Sequence, residues 1–225
     1  MNLYLDIETI PSQSPEVHAR IAETIKPPAT HKKAETIAAW EQNEKPQAIK
    51  EAIAKTALDG SVGHICCIGW AWELDSVQVA WIEDVGEERK LLSDALASIG
   101  SRLDGISWRQ PVIVGHNVTT FDIRFIWQRA IVLGIPMPRW FPRDPKPWGN
   151  EVFDTMLSWD PKKYISMDNL ALSLGIGGKG DVDGSMVADL WANKEFQKLS
   201  DYCWSDVERT RKIHQRMLVA YGEAA

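Results

Sequence analysis

Apolar and polar residues alternate from the start of the chain. In NLYLDIETI (2–10), Leu3 and Leu5 face one way and Tyr4, Asp6 and Glu8 the other, a period of two that predicts a strand. Two further apolar runs, HICCIGWAW and VQVAWI, flank the short polar gap ELDS and predict an antiparallel hairpin. Beyond them, Leu91, Leu92, Ala95, Ile99 and Leu103 recur at helical spacing. PVIVGHN then predicts a buried strand, TTFDIRFIWQRAIVLG a helix, EVFDTM a short strand, ISMDNLALSLGI a short helix ending at Gly175, and EFQKLSDYCWSDVERTRKIHQRMLVAYG a long closing helix. Strands interleaved with helices in this order predict an α/β fold, a mixed sheet with helices on its faces.

Between the first two strands lie residues 12–60, rich in Ala, Glu and Lys and interrupted by Pro27, Pro28 and Pro46. A structureless loop of that length is rare in a compact domain, so the segment predicts two or three amphipathic helices inserted into the sheet order. Its mixed charges predict a solvated helical face. The segment IPMPRWFPRDPKPWGN is a proline-stiffened irregular excursion, and GIGGKGDVDG is a turn-rich loop. That loop lacks the Ser or Thr after Lys179 that a triphosphate-binding glycine loop requires.

Composition narrows the picture. The 225 residues suit one globular domain, and 44% hydrophobic residues suffice for a core. No apolar run is long enough to cross a membrane, and an acid at position 6 stands where a secretion signal would be apolar, so a cytoplasmic protein is expected. Cys66, Cys67 and Cys203 show no zinc-ligand spacing and are expected to be buried free thiols. A net charge of −6 argues against coating duplex nucleic acid, yet carboxylates gathered around cations would carry the same sign.

Asp6 and Glu8 share a strand face roughly 7 Å apart at Cα, close enough to hold one divalent ion or two neighbouring ones. Asp122 lies at the start of a helix, where the helix dipole favours an acid on structural grounds alone. Tyr202 and Asp206 are four residues apart and share one face of the last helix. Taken singly, each pattern also fits ordinary surface decoration.

Together, DIET, N-x4-D (Asn117 to Asp122) and Y-x3-D (Tyr202 to Asp206) resemble the three motifs of the DEDD superfamily of 3′-to-5′ exonucleases, in its tyrosine branch. DIETIPS, IKPP, KTALDGSVGHICCIGWA, VGHNVTTFDIRFI, FDTM, SMDNLALSLGI, KGDVDGSMV and YCWSDVERT resemble stand-alone, phage-associated relatives of the family B DNA polymerase proofreading domain over nearly the whole chain. The resemblance implies an RNase H-like five-stranded sheet with a helical insertion, and one exonuclease domain over residues 1–225. It implies a bacterial or phage-encoded enzyme that hydrolyses single-stranded DNA from the 3′ end and releases nucleoside 5′-monophosphates.

In that family pattern Asp6 bridges two Mg²⁺ or Mn²⁺ ions, Glu8 and Asp206 complete the position of one, and Asp122 holds the other through water. Tyr202 orients the attacking water, since a phenol of ordinary pKa near 10 is a poor base at neutral pH. Thr9 and Asn117 are candidate substrate contacts, although Asn117 could equally cap the following helix. Trp140 and Arg143, with Trp148, offer an aromatic and basic mix suited to a single strand, and Lys179 a weaker backbone contact. Asp154 is expected to support the site or the fold. Trp70, Trp72, Trp81, Trp127, Trp191 and Trp204 are expected in the core. Two other readings stay open: the same chemistry on RNA, and an inactive module that binds a single strand or a replication or recombination partner.

Overall fold

The computed structural model describes residues 1–103, 110–146, 149–177 and 182–223. Five strands form one mixed sheet: β1 (Asn2–Ile10), β2 (His64–Trp72), β3 (Gln78–Trp81), β4 (Val112–Gly115) and β5 (Val152–Asp154). Their order is β3-β2-β1-β4-β5, antiparallel across β3-β2-β1 and parallel across β1-β4-β5. The period-two start of the chain thus becomes the central strand.

Helices α1 (Pro15–Thr24), α2 (Ala34–Asn43) and α3 (Lys45–Ala54) occupy the segment between β1 and β2, as its length and composition predict. Ser14 caps α1 by accepting from the Val17 amide, and Pro15 takes the first helical position, where its missing N–H is harmless. The insertion is tied back to β1 at its far end: Thr9 Oγ1 donates to the Ala57 carbonyl at 2.7 Å, and the Ser12 amide donates to Thr56 Oγ1 at 2.8 Å.

The two faces of β1 meet different layers. Leu3, Leu5 and Ile7 enter the main core with Leu92 and Ile99 of α4 (Glu88–Ser101) and Phe125 and Ile126 of α5 (Asp122–Leu133). On the opposite face, Tyr4 bonds His214 of the long helix α9 (Phe196–Tyr221) at 3.0 Å, and Asp6 meets Cys203 about two turns past its start. Register explains how α9 comes so close. Asp6 stands opposite Gly69 of β2, and a Cβ at Gly69 would fall 2.8 Å from Cys203 Sγ and 2.9 Å from Val207 Cγ2. Only a bare backbone admits the helix there.

Short helices α6 (Thr155–Trp159), α7 (Met167–Ser173) and α8 (Val187–Ala192) connect β5 to α9. Among the described residues, no helix is long and apolar enough to cross a membrane. Trp70 and Trp72 are buried, and Trp127 and Trp191 pack partly against the core. Trp81 and Trp204 depart from expectation and are exposed: β3 is the edge strand, and Trp204 lies on the outer side of α9.

Candidate active site

Asp6 and Glu8 point from β1 toward α9, where an oxygen of each and the Cys203 sulfur all lie within 4.8 Å of one another. A break in the β1/β2 register follows Glu8, and Cys66 donates its thiol to the Glu8 carbonyl at 3.4 Å. Such a bulge ends the regular alternation just where the two acids have been presented. Glu8 is only 8% exposed, and no hydrogen bond or cation meets its carboxylate among the described residues.

Asp122 is placed by the end of a strand. β1 and β4 pair only as far as Tyr4 and Val114, and beyond that the Asp122 carboxylate accepts the Ile7 amide at 3.0 Å. The first acid of α5 is thereby pinned between Asp6 and Glu8 in sequence. The loop before it is organised by Asp154, whose carboxylate accepts the amides of Asn117, Thr119, Met156 and Leu157 at 3.0–3.3 Å. Asn117 adopts a left-handed backbone with φ 62°, and its side chain accepts from Thr120. It is therefore a loop-former rather than the cap of α5, which begins after Phe121. His116 is held on both ring nitrogens, by Thr155 Oγ1 and by the Ile165 carbonyl, as a structural residue.

On α9, Tyr202 lies one turn before Asp206 and within its electrostatic reach, and Arg209 pairs with Asp206 and with Asp168 of α7. The helix thus presents an acid already held in place by Arg209.

These carboxyl groups share one environment. Burial, followed by the charges of Asp122 and Asp206, pushes the Asp6 carboxyl well above its ordinary range. Burial, then Asp6 and Asp206, does the same to Glu8. Asp122 is pushed up to about 7 by burial, against the opposing pull of the Ile7 amide. Asp206 is raised by burial despite Arg209. Burial and the same acids raise the Tyr202 hydroxyl too, so it keeps its proton at neutral pH. Hard oxygen donors crowded together, mutually repelling and with Glu8 unpartnered, fit divalent cations of the Mg²⁺ and Mn²⁺ kind.

Of the predicted site residues, Asp6 and Glu8 come within ligand distance of one another, together with Cys203, while Asp122, Tyr202 and Asp206 lie outside that 4.8 Å group and act on it through their charges or share its field. Thr9 is committed to Ala57. Trp140 packs on Gly100 of α4 and edge-on to Phe141, and Arg143 lies 6.0 Å from the Trp127 ring, both in the α4/α5 layer away from α9. Lys179 and Trp148 lie outside the described residues. Sequence reading missed Cys203 and the Arg209–Asp168 clamp. The i,i+3 spacing of Asp206 and Arg209 was a usable signal for the clamp.

The fold is similar to the family B DNA polymerase of the hyperthermophilic archaeon Pyrobaculum calidifontis, with TM-score 0.58 and 18% identity. The match covers 97% of this chain and 24% of the polymerase. No curated protein matches the chain. Residues 61–224 match a family model described as a predicted 3′-5′ exonuclease related to the exonuclease domain of PolB. The chain belongs to this family of 3′-to-5′ exonucleases related to the polymerase B exonuclease domain.

Proposed function

We propose that this exonuclease is metal-dependent and acts on single-stranded DNA, removing nucleoside 5′-monophosphates from the 3′ end, with residues 1–225 working as one unit. The observation that carries the reading is the convergence of carboxylate oxygens from Asp6 and Glu8, with Glu8 only 8% exposed as a residue and making no side-chain hydrogen bond or ion pair among the described residues. A buried charge without a partner is strongly unfavourable, and a cation supplied from solution removes the penalty. Asp6, Glu8, Asp122 and Asp206 would hold two Mg²⁺ or Mn²⁺ ions. Bound there, such ions would stabilise charge on the attacking and leaving oxygens of an in-line displacement.

The chain's own residues supply position. Asp122 is fixed by the Ile7 amide and Asp206 by Arg209, which sets where each carboxylate stands relative to β1. Tyr202 keeps its proton and acts by hydrogen bonding, orienting the attacking water instead of deprotonating it. Asp154 keeps the 117–119 loop in place and acts through Asp122. DNA is favoured as substrate because the family and the similar structure are both named for DNA polymerases.

The test is a 5′-labelled single strand of DNA, its duplex and an RNA of the same sequence, each with Mg²⁺, Mn²⁺ or chelator. A ladder shortening from the 3′ end of single-stranded DNA, seen with metal and lost in Asp6→Ala, is the expected result. Faster shortening of RNA would reassign the substrate, and binding of the strand without any cleavage would overturn the reading.

A further inference from the structure

Cys203 is an unexpected neighbour for a site built to hold hard cations. Its sulfur lies 3.8 Å from Asp6 Oδ2 and is fully buried, close to Cys67, the β2 residue opposite Glu8. Gly69 is what allows this approach. One oxygen of Asp6, one of Glu8 and the Cys203 sulfur converge within 4.8 Å, and Glu8, a residue only 8% exposed, makes no side-chain hydrogen bond or ion pair among the described residues.

Two carboxylates and one thiol are a donor set that all-oxygen sites lack. Zinc–sulfur bonds of about 2.3 Å and zinc–oxygen bonds of about 2.1 Å, at a tetrahedral angle, put sulfur and oxygen about 3.6 Å apart. The observed 3.8 Å between Cys203 Sγ and Asp6 Oδ2 needs almost no rearrangement to meet that geometry. Soft or borderline ions prefer thiolate, whereas Mg²⁺ does not use it.

We propose that Asp6, Glu8 and Cys203 form a mixed carboxylate–thiolate site that takes a thiophilic divalent ion, Zn²⁺ or Cd²⁺, with its fourth position open. Entry of the ion breaks the Cys203 S–H bond, forms a sulfur–metal bond and releases the proton to bulk water. Because Asp6 and Glu8 are shared, a thiophilic ion and Mn²⁺ exclude one another. The site makes Cys203 the residue that discriminates among metals, and this rests on the assignment of Asp6 and Glu8 as cation ligands.

The test is direct binding without substrate. Cd²⁺ is titrated into the metal-free protein while the sulfur-to-cadmium charge-transfer band is followed in the ultraviolet, then displaced with Mn²⁺. The wild-type protein should show the band with one equivalent of Cd²⁺ and lose it as Mn²⁺ is raised. Cys203→Ser should abolish the band and weaken Cd²⁺ at least about tenfold by calorimetry, while Mn²⁺ affinity changes far less. Cys67→Ser should retain the band.

Circular dichroism and retained Mn²⁺ binding show that the serine variant is folded, and Cys203→Ala provides a second variant if it is not. A band that survives in Cys203→Ser, or one lost only in Cys67→Ser, overturns the proposal. Cd²⁺ binding that Mn²⁺ cannot displace also overturns it. Since no nucleic acid is present, this result is separate from whether the protein cleaves DNA.

Discussion

Among the described residues, one group of buried charged side chains in the α4/α5 layer and another under α9 are resolved in opposite ways. Glu88 is fully buried, and its oxygens accept from the Ile65 amide, His64 Nδ1 and both Arg129 Nε and Nη2 at 2.7–2.9 Å. Burial alone would raise its pKa. The hydrogen bonds from His64, Arg129 and Ile65 outweigh burial and hold it below the ordinary carboxylate range. Half-buried Asp6 and buried Glu8 lie among further acids, and their pKa values rise. A buried charge that is fully paired serves the fold, whereas one left uncompensated shows where the protein expects a cation from outside.

The comparison can be broken most forcefully at Arg129. Arg129→Ala strands Glu88 without its main partner and is expected to destabilise the protein by about 3–5 kcal/mol in chemical denaturation. Little loss would mean that the pair contributes no more than an apolar substitute.

Glu8→Gln should do the reverse. It removes a repelling charge, so the metal-free protein should unfold at equal or higher denaturant, while 3′-end cleavage falls about 10²–10³-fold, the scale of losing a major electrostatic group. A variant both less stable and fully active would contradict the assignment. Tyr202→Phe should reduce cleavage about 10- to 100-fold with Mn²⁺ binding retained, because it removes orientation and leaves the acids in place. Unchanged turnover would remove Tyr202 from the site.

A further test is a pH dependence of opposite sign in the two clusters. Asp122 rises from 3.8 to about 7 on folding, so the folded protein holds a proton that the unfolded chain has released. Its contribution is present below about pH 4 and lost as pH rises toward 7. Glu88 is lowered, so its contribution is present above its ordinary pKa of 4.5 and lost as pH falls through the folded value. In chelator, the stability of Asp122→Asn relative to wild type should therefore grow from pH 4 to pH 7. A difference that stays flat with pH would contradict the shared burden of the acids.

Much of this was legible from residue order. Alternation in NLYLDIETI placed Asp6 and Glu8 together on one face, and one helical turn placed Tyr202 with Asp206. Periodicity also found the core of α4, where Leu91, Leu92, Ala95 and Ile99 are buried. Contacts between distant elements were harder to read. A helix pattern says which residues share a face, yet only the bare Gly69 reveals how closely α9 approaches β2, and hence that Cys203 reaches Asp6. Asn117 looked like a helix cap because polar residues precede helices, but its left-handed backbone and the Asp154 bonds made it a loop corner. The aromatic residue of the proline-rich segment looked suited to a nucleic-acid strand, and Trp140 instead packs on Gly100.

The central claim is that the cluster under α9 is completed by cations, and thermal unfolding in Mn²⁺ tests it most directly. At about 100 times the dissociation constant, bound Mn²⁺ should add about 2.7 kcal/mol and raise Tm by about 5–10 °C for each occupied site in the wild-type protein, with little shift in Asp6→Asn. An equal shift in both proteins, or none in either, would contradict it.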